Sequence, residues 1–104
     1  MSTPLGVRTD RHGGTVVLSV TGELDLSNVE VFTDAIEAAV GHGQETGRST
    51  VDLAAVEYLD SAAINALFDH APQIRRIVAN PILMSVLTIS GLASVVEVVA
   101  AEGG

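Results

Sequence analysis

Runs rich in β-branched residues alternate along this chain with segments whose apolar residues recur every three or four positions, and few folds accept that alternation. Residues 15–21 carry valines in a near-continuous apolar run bounded by threonines, which reads as a strand buried on both faces. Residues 50–53, 74–79 and 94–99 read as three further strands, and residues 5–9 as a first one joined to the second by a hairpin turn at Gly13-Gly14. Between them lie helical patterns. Val29, Phe32, Ile36 and Val40 make one apolar stripe, with Glu30, Asp34 and Glu37 off it. Ser27 and Glu30 have capping-box spacing, so the first helix is expected to open at Ser27 and to stop near Gly41. Gly22 to Leu26 is then a strand-to-helix loop, and His42 to Arg48 a polar one.

The second helix is expected to start at Asp60-Ser61, with Asp60 as N-cap and Ile64, Leu67 and Phe68 as its apolar stripe. Pro72 ends it, because proline cannot continue the hydrogen-bond ladder. Asn80-Pro81 is an N-cap and first-turn pair that opens a third helix through Ile89, and Gly91 is placed to end it. The order β-β-α-β-α-β-α-β predicts an α/β domain: a mostly parallel mixed sheet with helices packed on it, joined by right-handed crossovers. The 104 residues make one domain, and the 47% apolar content with only 3% aromatic means a core of Val, Leu, Ile and Ala.

Charge and composition exclude several functions. A net charge of −8, with five arginines, no lysine and one adjacent basic pair, Arg75-Arg76, argues against nucleic-acid binding, which needs basic surface to displace counterions. The acidity suits solubility and a basic protein partner. There is no cysteine, so disulfides and thiolate metal sites are out, and the histidines His12, His42 and His70 match no zinc spacing. They read as solvated side chains, not bases. No metal and no cofactor is expected. Ile77 to Val96 is twenty residues without a charge, a length that fits a membrane span. Asn80, Pro81 and Gly91 divide it into short pieces, so it is read instead as soluble elements and no membrane association is expected. The start of the chain lacks a basic stretch followed by an apolar run, so the expected location is the cytoplasm.

Two places carry chemistry. Gly22-Glu23-Leu24-Asp25 and Leu59-Asp60-Ser61-Ala62-Ala63 each connect a strand to a helix, and in open parallel sheets such loops gather at the carboxyl ends of the strands. Asp25 and Ser61 are therefore expected to be neighbours. Capping alone accounts for an Asp-Ser pair at a helix start. The functional alternative is a phosphorylatable Ser61, whose phosphate would meet the positive end of the helix and add nearly two negative charges beside Asp60. Asp25 likewise reads either as a dipole-favoured loop acid or as a contact beside that serine. A serine hydrolase is not supported, since Ser61 lacks a nucleophile elbow, an identifiable base and an oxyanion hole; the chain is read as no enzyme.

The run Val17 to Asp25, then a helix, then Val51-Asp52-Leu53 and Leu59-Asp60-Ser61, resembles the STAS domain, and most of all the bacterial anti-sigma factor antagonists of the SpoIIAA type. Asn80-Pro81, Leu87 and Ser90-Gly91-Leu92 extend the likeness over nearly the whole chain. The resemblance implies the STAS fold and a partner-switching role in transcription regulation. The unphosphorylated antagonist binds a protein that is both anti-sigma factor and serine kinase and so frees a sigma factor; phosphorylation of Ser61 stops this, and a phosphatase resets it. It also implies a partner-binding surface of Asp25, Leu26, Ser27, Asp60, Ala62 and Ala63 around Ser61. Family members commonly carry Ser-Gly after the switch serine, where this chain has Ala62-Ala63. The alternative on the same fold is a scaffold, or a binding subunit of a membrane lipid transporter, without a phosphate switch.

Overall fold

The structure is a computed structural model and describes residues 4–12, 15–43 and 49–102. Its elements are β1 (Gly6–His12), β2 (Thr15–Leu24), α1 (Val29–Gly43), β3 (Ser49–Leu59), α2 (Ser61–His70), β4 (Ile74–Ala79), α3 (Met84–Ile89) and β5 (Glu97–Ala100). This is the expected order. The five strands form one sheet in the order β1-β2-β3-β4-β5, with β1 antiparallel to β2 and every other pair parallel. The turn expected at Gly13-Gly14 lies outside the described residues, but the β1–β2 register from Gly6↔Thr21 to His12↔Thr15 is that of a hairpin.

The core lies on one face of the sheet. Leu18, Val20 and Leu24 of β2, Val51, Leu53 and Val56 of β3, and Ile77 and Ala79 of β4 join Phe32 and Ile36 of α1, Ala63 and Leu67 of α2, and Leu87 of α3 in a single buried cluster. All three helices pack on the same alternate set of strand residues. The expectation that β2 is buried on both faces is therefore corrected. Val17, Ser19, Thr21 and Glu23 point to the other side and are half-buried or exposed. On that side Arg76 and Glu97 form an ion pair at 2.7 Å, and its exposure limits its worth to at most about 1 kcal/mol.

β3 is longer than the sequence pattern suggested, eleven residues and not four, and the reason lies in its register. Ser19↔Asp52 is followed by Thr21↔Ala55, and Gly22↔Val56 by Glu23↔Tyr58, so β3 carries one extra residue at each of two bulges. The inward residues Leu53, Val56 and Leu59 are therefore three apart. That spacing imitates a helix and hides the strand. β2 also continues to Leu24, through residues read as loop. Gly22 lies in the strand at φ +94° beside the second bulge, a backbone that L side chains rarely adopt.

The C-terminal boundaries shift for similar local reasons. Asn80 caps a 3-10 turn over Pro81–Leu83, its Oδ1 accepting from Ile82 N–H at 3.1 Å, before α3 begins. Gly91, at φ +90°, leads into a second 3-10 turn at Leu92–Ser94, so β5 starts at Glu97 and not at Ser94. Among the described residues no helix is long and apolar enough to cross a membrane; the uncharged Ile77 to Val96 segment is divided among β4, α3 and two turns. His70 is also corrected. Its side chain is only 12% exposed, with Nδ1 at 2.9 Å from the carbonyl oxygen of Ala66 and Nε2 at 3.5 Å from Glu37, so it joins α2 to α1. Ser49, buried at the start of β3, donates to the carbonyl oxygen of Gln73 at 2.6 Å and closes the chain beyond α2 onto the sheet.

Truncating the fully buried Leu53 to alanine is expected to destabilise the fold by about 2–5 kcal/mol. Val95→Ala, at a half-exposed position, is expected to change stability by less than about 0.5 kcal/mol. Urea unfolding of the two variants checks both, and similar midpoints would contradict the one-sided core.

Candidate functional site

The β2–β3 register ends on Leu24↔Leu59, so the next residues, Asp25 and Asp60, leave the sheet side by side. Both leucines are buried and anchor the departure. The backbone confirms the contact: Asp60 N–H donates to the carbonyl oxygen of Leu24 at 3.3 Å.

Asp60 is the N-cap of α2, as expected. Its Oδ1 accepts from Ala63 N–H at 3.1 Å. Its other oxygen, Oδ2, crosses to the neighbouring loop and accepts from Leu26 N–H at 3.0 Å. One carboxylate therefore starts a helix and holds the loop beside it. Ser61 is the first residue of α2 and is exposed. First-turn N–H groups have no partner within their own helix, which leaves this end of α2 electropositive.

The Asp25 loop is built differently from the expectation. Ser27 does not form a capping box with Glu30. Its hydroxyl and its N–H both donate to Asp25 Oδ1, an Asx-turn that occupies the loop. α1 begins two residues later than expected, at Val29. The organising side chain is Asn28, which the sequence reading passed over. Its Oδ1 accepts from Asp25 N–H at 2.9 Å and its Nδ2 donates to the carbonyl oxygen of Glu23 at 2.9 Å. The signal was present as Asp-Leu-Ser-Asn, four residues with two that make side-chain turns.

Asp25 in its loop and Ser61 at the start of α2 thus follow adjoining strand ends, as expected, but among the described residues no hydrogen bond joins them; the link runs from Leu26 to Asp60. Of the other residues expected on the partner surface, Leu26 is 75% exposed, Ser27 is exposed, and Ala62 is half-buried. Ala63 is a correction. It is fully buried, so its methyl belongs to the core and its part in the site is the N–H given to Asp60. Ile82, 63% exposed, follows β4 at the same end of the sheet and adds an apolar group that the sequence did not single out. Among the described residues no three His, Cys, Asp or Glu side chains gather as a metal site.

The central strands of this one-sided mixed sheet deliver an acid-capped helix and an exposed serine to its carboxyl end. The family model described as Mlab, STAS domain, matches residues 7–100, and the chain belongs to the STAS domain family. The fold is similar to that of an anti-sigma factor antagonist from Mycobacterium paratuberculosis, at a TM-score of 0.81 and 24% identity over 92% of this chain and 86% of that one. It is also similar to the anti-sigma factor antagonist SpoIIAA in its unphosphorylated form (TM-score 0.70, 20% identity, 93% and 89% covered). The phosphorylated form of the Bacillus cell fate determinant SpoIIAA gives 0.65 at 21% identity over 93% and 92%. No curated protein matches.

Asn28→Ala removes both of its side-chain hydrogen bonds and is expected to cost about 1–3 kcal/mol, because Asp25 N–H and the carbonyl oxygen of Glu23 lose their partner. Thermal unfolding checks the size of the loss. A change within experimental error would show that the loop does not depend on Asn28.

Proposed function

We propose that this chain is an anti-sigma factor antagonist that binds an anti-sigma factor kinase in the cytoplasm and releases a sigma factor, and that phosphorylation of Ser61 switches the binding off. The observation that carries the proposal is the exposed Ser61 at the start of α2, beside the Asp60 that ties this helix to the Leu26 loop, in a chain of the STAS family. Asp25, Leu26, Ser27, Asp60 and Ala62 make the surrounding contact surface, with Ile82 at its edge. In the switching step the Ser61 Oγ–P bond forms as the bond between the γ-phosphorus of ATP and its bridging oxygen breaks. ADP leaves, and the hydroxyl proton passes to a base of the kinase. A phosphatase returns the hydroxyl by hydrolysis, with release of inorganic phosphate. The added dianion favours a helix N-terminus but stands against Asp60 and Asp25, so the surface offered to the partner changes in charge while the core remains.

The Ala62-Ala63 pair, where family members commonly carry Ser-Gly, favours a second reading: a STAS scaffold or a transporter-associated binding subunit that uses the same face without a phosphate. The two are separated by a panel of candidate anti-sigma factor kinases with ATP, followed by intact-mass measurement and pull-down. The switch predicts one added phosphate on the wild type and none on Ser61→Ala. It also predicts that Ser61→Asp weakens binding by at least about tenfold, or about 1.4 kcal/mol. Unmodified wild-type protein, or a Ser61→Asp variant that binds as tightly as wild type, removes the phosphate switch and leaves the second reading.

A further inference from the structure

All four polar groups of Asp60 are committed. Its N–H donates to Leu24, its carbonyl oxygen accepts from Ile64 N–H at 3.1 Å, Oδ1 accepts from Ala63 N–H and Oδ2 from Leu26 N–H. The last of these is long-range, thirty-four residues apart in sequence. It is the bond that fixes the backbone of the most exposed apolar residue beside the site, Leu26. The Leu26 turn is otherwise held by its own side chains, Asp25 with Ser27 and Asn28 with Asp25 and Glu23. None of those bonds reaches α2. Beyond the β2–β3 ladder, which ends at Leu24↔Leu59, the Leu26 backbone is therefore joined to the start of α2 through one carboxylate oxygen.

That carboxylate belongs to the residue adjoining Ser61. A phosphate on the Ser61 hydroxyl sets nearly two negative charges against it within one residue's reach. The donors at the start of a helix attract both groups, and like charges side by side disfavour sharing them. Both side chains turn about their torsions, but the phosphate, with nearly twice the charge of the Asp60 carboxylate, competes more strongly for the first-turn N–H donors, so the N-cap carboxylate is the group that yields.

We infer that Asp60 is a positioning residue that transmits the state of Ser61 to Leu26. The hydroxyl form leaves the carboxylate bridging α2 and the Leu26 turn, and Leu26 is displayed at the rim of the site. The phosphorylated form turns the carboxylate away, Leu26 N–H loses its acceptor, and the apolar tip is no longer held for a partner. This rests on the proposed phosphorylation of Ser61 and adds the route by which it acts. The switch is then a loss of an apolar contact as well as a gain of charge.

The test needs no partner protein. Amide hydrogen exchange is followed by NMR in the full chain with serine or genetically encoded phosphoserine at position 61. Phosphoserine is expected to accelerate exchange at Leu26 by about tenfold or more, as for a local opening, with Val51 in the central ladder unchanged. In Asp60→Asn, which keeps an oxygen for Ala63 N–H but has one acceptor and no charge, Leu26 is expected to exchange fast in both forms. Asp60→Ser, a second capping residue without the bridge, is expected to behave the same way. Equal Leu26 exchange with serine and phosphoserine in the wild type overturns the relay, as does a phosphoserine effect of wild-type size in both Asp60 variants. Either result leaves the binding switch standing on direct charge repulsion, whereas failure of that switch shows only in the pull-down.

Discussion

The pairing of β2 with β3 governs the rest of the molecule. It joins two of the three interior strands, and its inward residues supply much of the face on which α1 and α2 pack. It also sets the site. Two strands that began together at Val16↔Ser49 finish together at Leu24↔Leu59 only because β3 absorbs two extra residues in bulges. Remove one bulge and Asp60 would be displaced along the sheet by about one residue, roughly 3.3 Å, more than the length of the hydrogen bond it makes to Leu26. The positive-φ Gly22, itself buried, lies on β2 opposite Val56, where the second bulge of β3 begins.

Much of this was legible in the sequence where local chemistry and tertiary packing agree. β4 was read at its observed limits, because six residues of strand propensity are bracketed by a proline-ended helix and an Asn-Pro cap. α2 was read from Asp60, whose side chain caps as its residue type prefers. The family resemblance, carried by Gly22 to Asp25 and by Asp60-Ser61, agrees with the family shown over residues 7–100. What stayed hidden depends on a partner strand or loop. The bulges of β3 replace the period of two by a period of three, and only the register with β2 reveals it. Ser27 was paired with Glu30 by spacing, whereas the observed Asx-turn gives its hydroxyl to Asp25, two residues away. Ala63 was placed on the partner surface by the family resemblance, which does not show which way each residue of the helix start faces. The helical rotation that exposes Ser61 carries a residue two positions on toward the sheet.

The division of labour within the site follows from the same geometry. Asp25 is consumed by its own loop, the Ser61 side chain has no hydrogen-bond partner among the described residues, and Asp60 spans the gap between them. Acids near a helix start are favoured by its dipole, so the site keeps a fixed negative charge at little cost to the fold. A further dianion is a large change against that background. The apolar residues Leu26 and Ile82 stand out from this acidic setting as the groups with most to gain from being covered.

The uncharged stretch from Ile77 to Val96 has a consequence for how the domain holds together. None of its pieces is long enough to persist by itself: β4 is six residues, α3 is six, and the turns on either side of α3 are 3-10. Their order is borrowed from β3 through β4, and from Leu87 and Leu92 docked in the common cluster. The C-terminal quarter is therefore a dependent subunit of folding, and the greasiest sequence in the chain stays sheltered only while the central strands remain paired.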